Sequence, residues 1–106
     1  MASGIFGQAA LSATTNTTIY TVPASTYSVV TVNIVNRGTT SAAVRLAVSS
    51  SANPANNEYL EFDTVLPAKN VLERTGIVAE AGRQVIVYTD SASVTASAYG
   101  IEQEVV

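Results

Sequence analysis

The chain has 106 residues, no cysteine, no histidine, and a formal net charge of −3. Without cysteine there is no disulfide scaffold, thiol nucleophile or cysteine–metal site; without histidine the usual general base, the Ser-His-Asp triad and the commonest zinc ligand go too. Five dispersed basic residues against eight acidic ones argue against nucleic acid as a partner.

A chain of this length makes one domain and buries about 65% of the surface its unfolded form exposes, enough for a two-layer core without metals. Charged residues are 12% of the sequence, half the ~25% usual for a soluble domain, and the mean hydropathy is +0.27. Val and Thr abound, and their β-branched side chains suit a pleated surface. A free monomer is kept apart from its neighbours by surface charge, so this composition points to a surface covered by other subunits. The first residues lack a basic n-region and read as no secretory signal. No segment approaches the ~20 apolar residues of a membrane span, so no membrane partner is expected.

Residues 1–13 read as an N-terminal arm with a first strand, in which Ala9, Leu11 and Ala13 alternate with Ala10 and Ser12. Ile5 and Phe6, between Gly4 and Gly7, form a sticky tip to be anchored in the chain's own sheet or on a neighbouring subunit. Residues 14–106 are expected to form a single sandwich domain, beginning with a turn and a strand from Thr17 to Val22 stopped by Pro23.

The strongest pattern follows. Val30, Val32 and Ile34 alternate with Thr31 and Asn33; after the turn Asn36–Ser41, Ala42, Val44, Leu46 and Val48 alternate with Ala43, Arg45 and Ala47. Period two predicts a β-hairpin with one face on the core and a bland outer face whose only charge is Arg45. Ser49 to Asn57 reads as a loop. Glu58 to Leu66 alternates again, with Leu60, Phe62, Thr64 and Leu66 on one face and Tyr59, Glu61, Asp63 and Val65 on the other. Val71 to Thr75 is a strand broken by Gly76, and Gln84–Thr89 and Val94–Ile101 are the last two. About eight short strands with turn signals every 8–12 residues predict an all-β fold, an antiparallel β-sandwich of jelly-roll-like type.

Little chemistry is visible. Serines and threonines abound without an activating partner, and Lys69, the one lysine, lies in a predicted turn, so no enzyme and no cofactor are expected. Glu61 and Asp63, two apart, offer a glycosidase pair or calcium ligands. A polar strand face paired with Arg74 or Arg45 is the plainer reading, because neither a cleft nor an EF-type loop is indicated. The aromatics are scattered over many segments and read as core and interface anchors rather than a stacking platform.

The order Thr18-Ile19-Tyr20-Thr21-Val22-Pro23-Ala24, then Val32-Asn33-Ile34-Val35-Asn36-Arg37-Gly38, then Val44-Arg45-Leu46-Ala47-Val48 resembles a group of small virion structural proteins of tailed bacteriophages. Glu58-Tyr59-Leu60-Glu61-Phe62-Asp63, Leu66-Pro67-Ala68, Leu72-Glu73-Arg74-Thr75-Gly76 and Tyr99-Gly100-Ile101-Glu102 continue the resemblance, which spans roughly residues 8–102. It implies a β-sandwich subunit of the virion, assembled in the host cytoplasm. As capsid cement or decoration it would bind the major capsid protein, with a homotrimer favoured; the alternative is a tail, fibre or adaptor component among tail proteins. A carbohydrate-binding sandwich is the reading from another class. The candidate contact residues are Ile5, Phe6, Arg37, Arg45, Tyr59 and Arg74.

Overall fold

The computed structural model describes residues 3–104; Met1 and Ala2, at the tip of the expected arm, lie outside the described residues. Eight strands follow in order: β1 (Ser3–Ala10), β2 (Thr17–Thr21), β3 (Thr26–Asn36), β4 (Ala42–Ser49), β5 (Tyr59–Leu66), β6 (Val71–Ala79), β7 (Gln84–Thr89) and β8 (Val94–Glu104). A short 3-10 turn, Asn56–Glu58, precedes β5. They form two four-stranded antiparallel sheets, a first sheet ordered β1-β8-β3-β6 and a second ordered β2-β7-β4-β5.

The pairing explains the shape. β4 pairs with β5, β3 with β6, β2 with β7 and β1 with β8, so the chain is one long hairpin closed by the β4–β5 loop. Rolling that hairpin brings β3 beside β8 and β4 beside β7, which is the jelly-roll order.

The expected β3–β4 hairpin therefore does not form. β3 lies in the first sheet and β4 in the second, facing each other across the core. Both present the expected inner residues: Val30, Val32 and Ile34 from β3, and Ala42, Val44 and Leu46 from β4, are buried. Period two tells which side of a strand is buried, but not whether the next strand lies beside it or opposite. Asn36 holds the crossover. Its side chain is buried, its Nδ2 donates to the carbonyls of Thr40 (2.9 Å) and Leu66 (3.0 Å), and its Oδ1 accepts from the Gly38 N–H (2.9 Å).

The first strand is an integral edge of the sandwich, paired with β8. A bulge between Ile5 and Gly7 lets Phe6 turn inward while Ile5 faces out. Phe6 packs on the core and stacks on Tyr20 of the opposite sheet, ring centroids 4.4 Å apart. Gly7 is required there, since a Cβ would stand 1.9 Å from the Ile19 carbonyl oxygen. Beyond the stack, the Tyr20 hydroxyl meets Ser28 Oγ at 2.6 Å and donates to the Glu102 carboxylate, joining β2 to β3 and β8. Burial and then the Glu102 bond push the Tyr20 phenol up to about 12.

Bulges also overturn two other expectations. Gly76 does not break β6: at φ +71° it sits in a bulge opposite Val30–Val32, and the strand runs on to Ala79. In β5 two register shifts, against Val44–Leu46 and Leu46–Ala47, undo the simple alternation. Asp63, at φ +51°, lies in the first of them, so Leu60 and Phe62 are exposed while Leu66 is buried. All four edge strands, β1, β2, β5 and β6, are bulged in this way, whereas the inner pairings β3–β8 and β4–β7 run without a shift. Edges that lack lysine are thus guarded by irregular backbone instead.

Candidate interaction surface on the second sheet

Inner residues of β4 and β7 pair as Val44–Thr89, Leu46–Val87 and Val48–Val85, so the intervening pairs Arg45–Tyr88 and Ala47–Ile86 point outward. Tyr59, opposite Ala47 on β5, joins that outer face. The Asp63 bulge then adds Phe62. Arg45 ends up clamped: its guanidinium carbon is 4.2 Å from the Phe62 ring centre and 4.5 Å from that of Tyr88. Its Nε and one terminal nitrogen donate to the two Asp63 oxygens at 2.6 and 3.3 Å. Each group fixes the other's charge: the arginine holds the Asp63 carboxyl below its ordinary value, and the carboxylate raises the guanidinium.

Tyr59 meets Phe62 edge-on at 4.9 Å, and with Asn56 the two rings line an open depression of about 460 Å³. The loop beside it is pinned by Glu58. Its carboxylate accepts from the Ala55 N–H (2.8 Å), Ser49 Oγ (2.8 Å), the Ser50 N–H (3.1 Å) and Arg83 (3.1 Å). Those bonds, the Ala55 amide first, hold the Glu58 carboxyl down at about 2. Ser49 lies on the same side of β4 as Ala47, so the loop folds over this end of the outer face, where Ala47 and Ile86 are buried outside the main core.

The six candidate contact residues disperse. Arg45 and Tyr59 share this face. Ile5 is exposed on the outer side of the first sheet, and Phe6 is half-buried against the chain's own core and stacked on Tyr20. Arg37 is exposed in the β3–β4 crossover, its carbonyl accepting from Lys69 Nζ at 2.8 Å. Arg74 points inward from edge strand β6 and meets Glu61 of edge strand β5 at 2.8 Å, a strap between the sheets. Glu61, opposite buried Leu46, and outward Asp63 do not share a face as expected; the bulge separates them. Their arginine partners, Arg74 and Arg45, are those the sequence offered. Among the described residues no three acidic side chains gather as a metal site.

Asp63 was offered as an arginine partner, but Phe62 and Tyr88 were not visible as members of the same cluster. Strict alternation hid Phe62 on the wrong side, and nothing local pairs Tyr88 with Arg45. The one usable signal was Asp63, since Asp tolerates a positive φ and can seat a bulge in mid-strand. No family model matches the sequence, and neither the curated proteins nor the solved structures include a significant match.

Proposed function

We propose that the chain is a non-enzymatic structural subunit of a tailed-phage virion, a cement or decoration protein that bridges major capsid protein subunits. The observation that carries this reading is the clamped Arg45 cluster. Tyr and Arg dominate binding hot spots, and here they are ordered before any partner arrives, so docking costs little further freedom. The sequence resemblance supplies the setting. Jelly rolls serve viral capsids and lectins alike, and the fold by itself decides neither. A cement subunit lies across joints of the shell; its contacts are individually weak, and many together resist internal pressure.

Density for whole particles tests the proposal. The sandwich is expected on the outer shell in numbers comparable with the major capsid protein, with Arg45 and Phe62 toward it, and particles lacking it should burst at lower temperature. Density in the tail or fibres would replace this role with the alternative of a tail component, and absence from particles would end both. The depression at Asn56, Tyr59 and Phe62 favours one second reading, a carbohydrate contact. Binding on a glycan array that disappears in Phe62→Ala would support it.

A further inference from the structure

The outer face of the first sheet differs from the face just described, and its contents follow from the register. Val29 on β3 pairs with Val78 on β6 and with Ile101 on β8, so one apolar row crosses three strands. Beside it Ile5 on β1 pairs with Tyr99 on β8, and Tyr27 extends the patch along β3 in one direction; in the other, Thr31, Asn33 and Glu73 separate it from Val71. Val78 is 67% exposed, Ile5 60% and Ile101 56%. Glu73 is the one charged strand residue that the register places on this face, and it accepts a hydrogen bond from the Tyr99 hydroxyl at 2.9 Å.

We propose that this face is where two copies of the chain associate, back to back about a two-fold axis. Three observations select a second copy. The bulges in all four edge strands oppose continuing a sheet into a neighbour, which leaves the broad faces for association. The area suits a weak, concentration-dependent pair: the three strands β6, β3 and β8, about 4.8 Å apart and about 30 Å long, present roughly 430 Å² in projection, and more once side chains are counted. A standard interface needs about 800 Å² per partner.

The row is also self-complementary. Val29 lies between Val78 and Ile101, so an axis parallel to β3 through Val29 sets Val29 on its counterpart and Val78 on Ile101 of the other copy. Aligned sheets pack with their strand directions within about 30° of each other, and this axis keeps β3 along its counterpart. A two-fold pair replaces the trimer implied by the resemblance, because a face that matches itself needs no second, different patch. It does not depend on which particle the chain serves.

Equilibrium sedimentation of the purified chain across the micromolar range is the test, with circular dichroism checking each variant's fold. The wild type should be a dimer. Val78→Lys and Ile101→Glu should each weaken it roughly tenfold or more, and the double variant should recover it, because the new cation of one copy then faces the new anion of the other. Phe62→Ser, on the opposite side of the sandwich, should leave it unchanged. A wild type that is monomeric or trimeric, or single variants that associate as before, would overturn the proposal; a double variant as weak as the singles would overturn this pairing of Val78 with Ile101.

Discussion

The two outer faces of the sandwich are built on opposite plans. On the second sheet, Arg45 is fixed by Phe62, Tyr88 and Asp63, and Glu58 ties the neighbouring loop with four hydrogen bonds. On the first sheet, an apolar row crosses three strands with little charge, and Glu73 is taken up by the Tyr99 hydroxyl. The first kind of surface recognises a partner by direction and charge, the second by fit and area. Under the proposed role the two would divide the work, one face joining copies of the chain and the other gripping something else.

The change expected to do most damage is at the residue that keeps these faces apart. Asn36→Ala removes three hydrogen bonds from the crossover, the one to the Leu66 carbonyl in a buried setting, so urea unfolding should register a loss of about 3 kcal/mol, and both faces should fail together. Next comes the edge that carries Ile5. Phe6→Ala should cost about 2 kcal/mol, below the range for a fully buried phenylalanine because the ring is partly exposed. Truncation of residues 1–7 should accordingly lower the melting temperature, whereas Ile5→Ser, on a strand beyond the three that an axis over β3 superposes, should leave both melting and association nearly unchanged.

Acid should separate the faces. The Glu58 carboxyl is held at about 2 against an ordinary value of 4.5, so it is more acidic folded than unfolded. Its contribution to stability is present above 4.5 and is lost as pH falls from there toward 2. Melting temperature followed across that window should drop, and Glu58→Gln should flatten the drop. The smallest effect is that of salt. Binding through the Arg45 face should weaken with ionic strength, and association through the Val29 face should hold or strengthen.

How much of this was legible follows from what each pattern encodes. The inner residues of β3 and β4 could be read because burial imposes period two on each strand by itself. Their partnership could not, because an arch and a hairpin bury the same residues, and the two differ in which strands lie alongside, partners that come from distant parts of the chain. Gly76 looked like a stop because a positive φ is foreign to regular strands, yet it serves a bulge inside one. The Arg45 cluster was half visible: Arg45 and Tyr59 stood out as candidates, while Phe62 was assigned to the wrong side by an alternation that Asp63 interrupts. The apolar row was hidden because Val29, Val78 and Ile101 come from three separate segments and meet only through register.

The division between the faces can be tested most directly with single cysteines, since the chain has none of its own. Val29→Cys places a thiol on the expected two-fold axis, and Val65→Cys places one on the opposite face at a position more exposed than Val29. Under mild oxidation the Val29 variant should convert to a disulfide-linked dimer while the Val65 variant stays largely monomeric. Equal cross-linking of both, or faster cross-linking at Val65, would contradict the assignment of the first sheet as the face where copies meet.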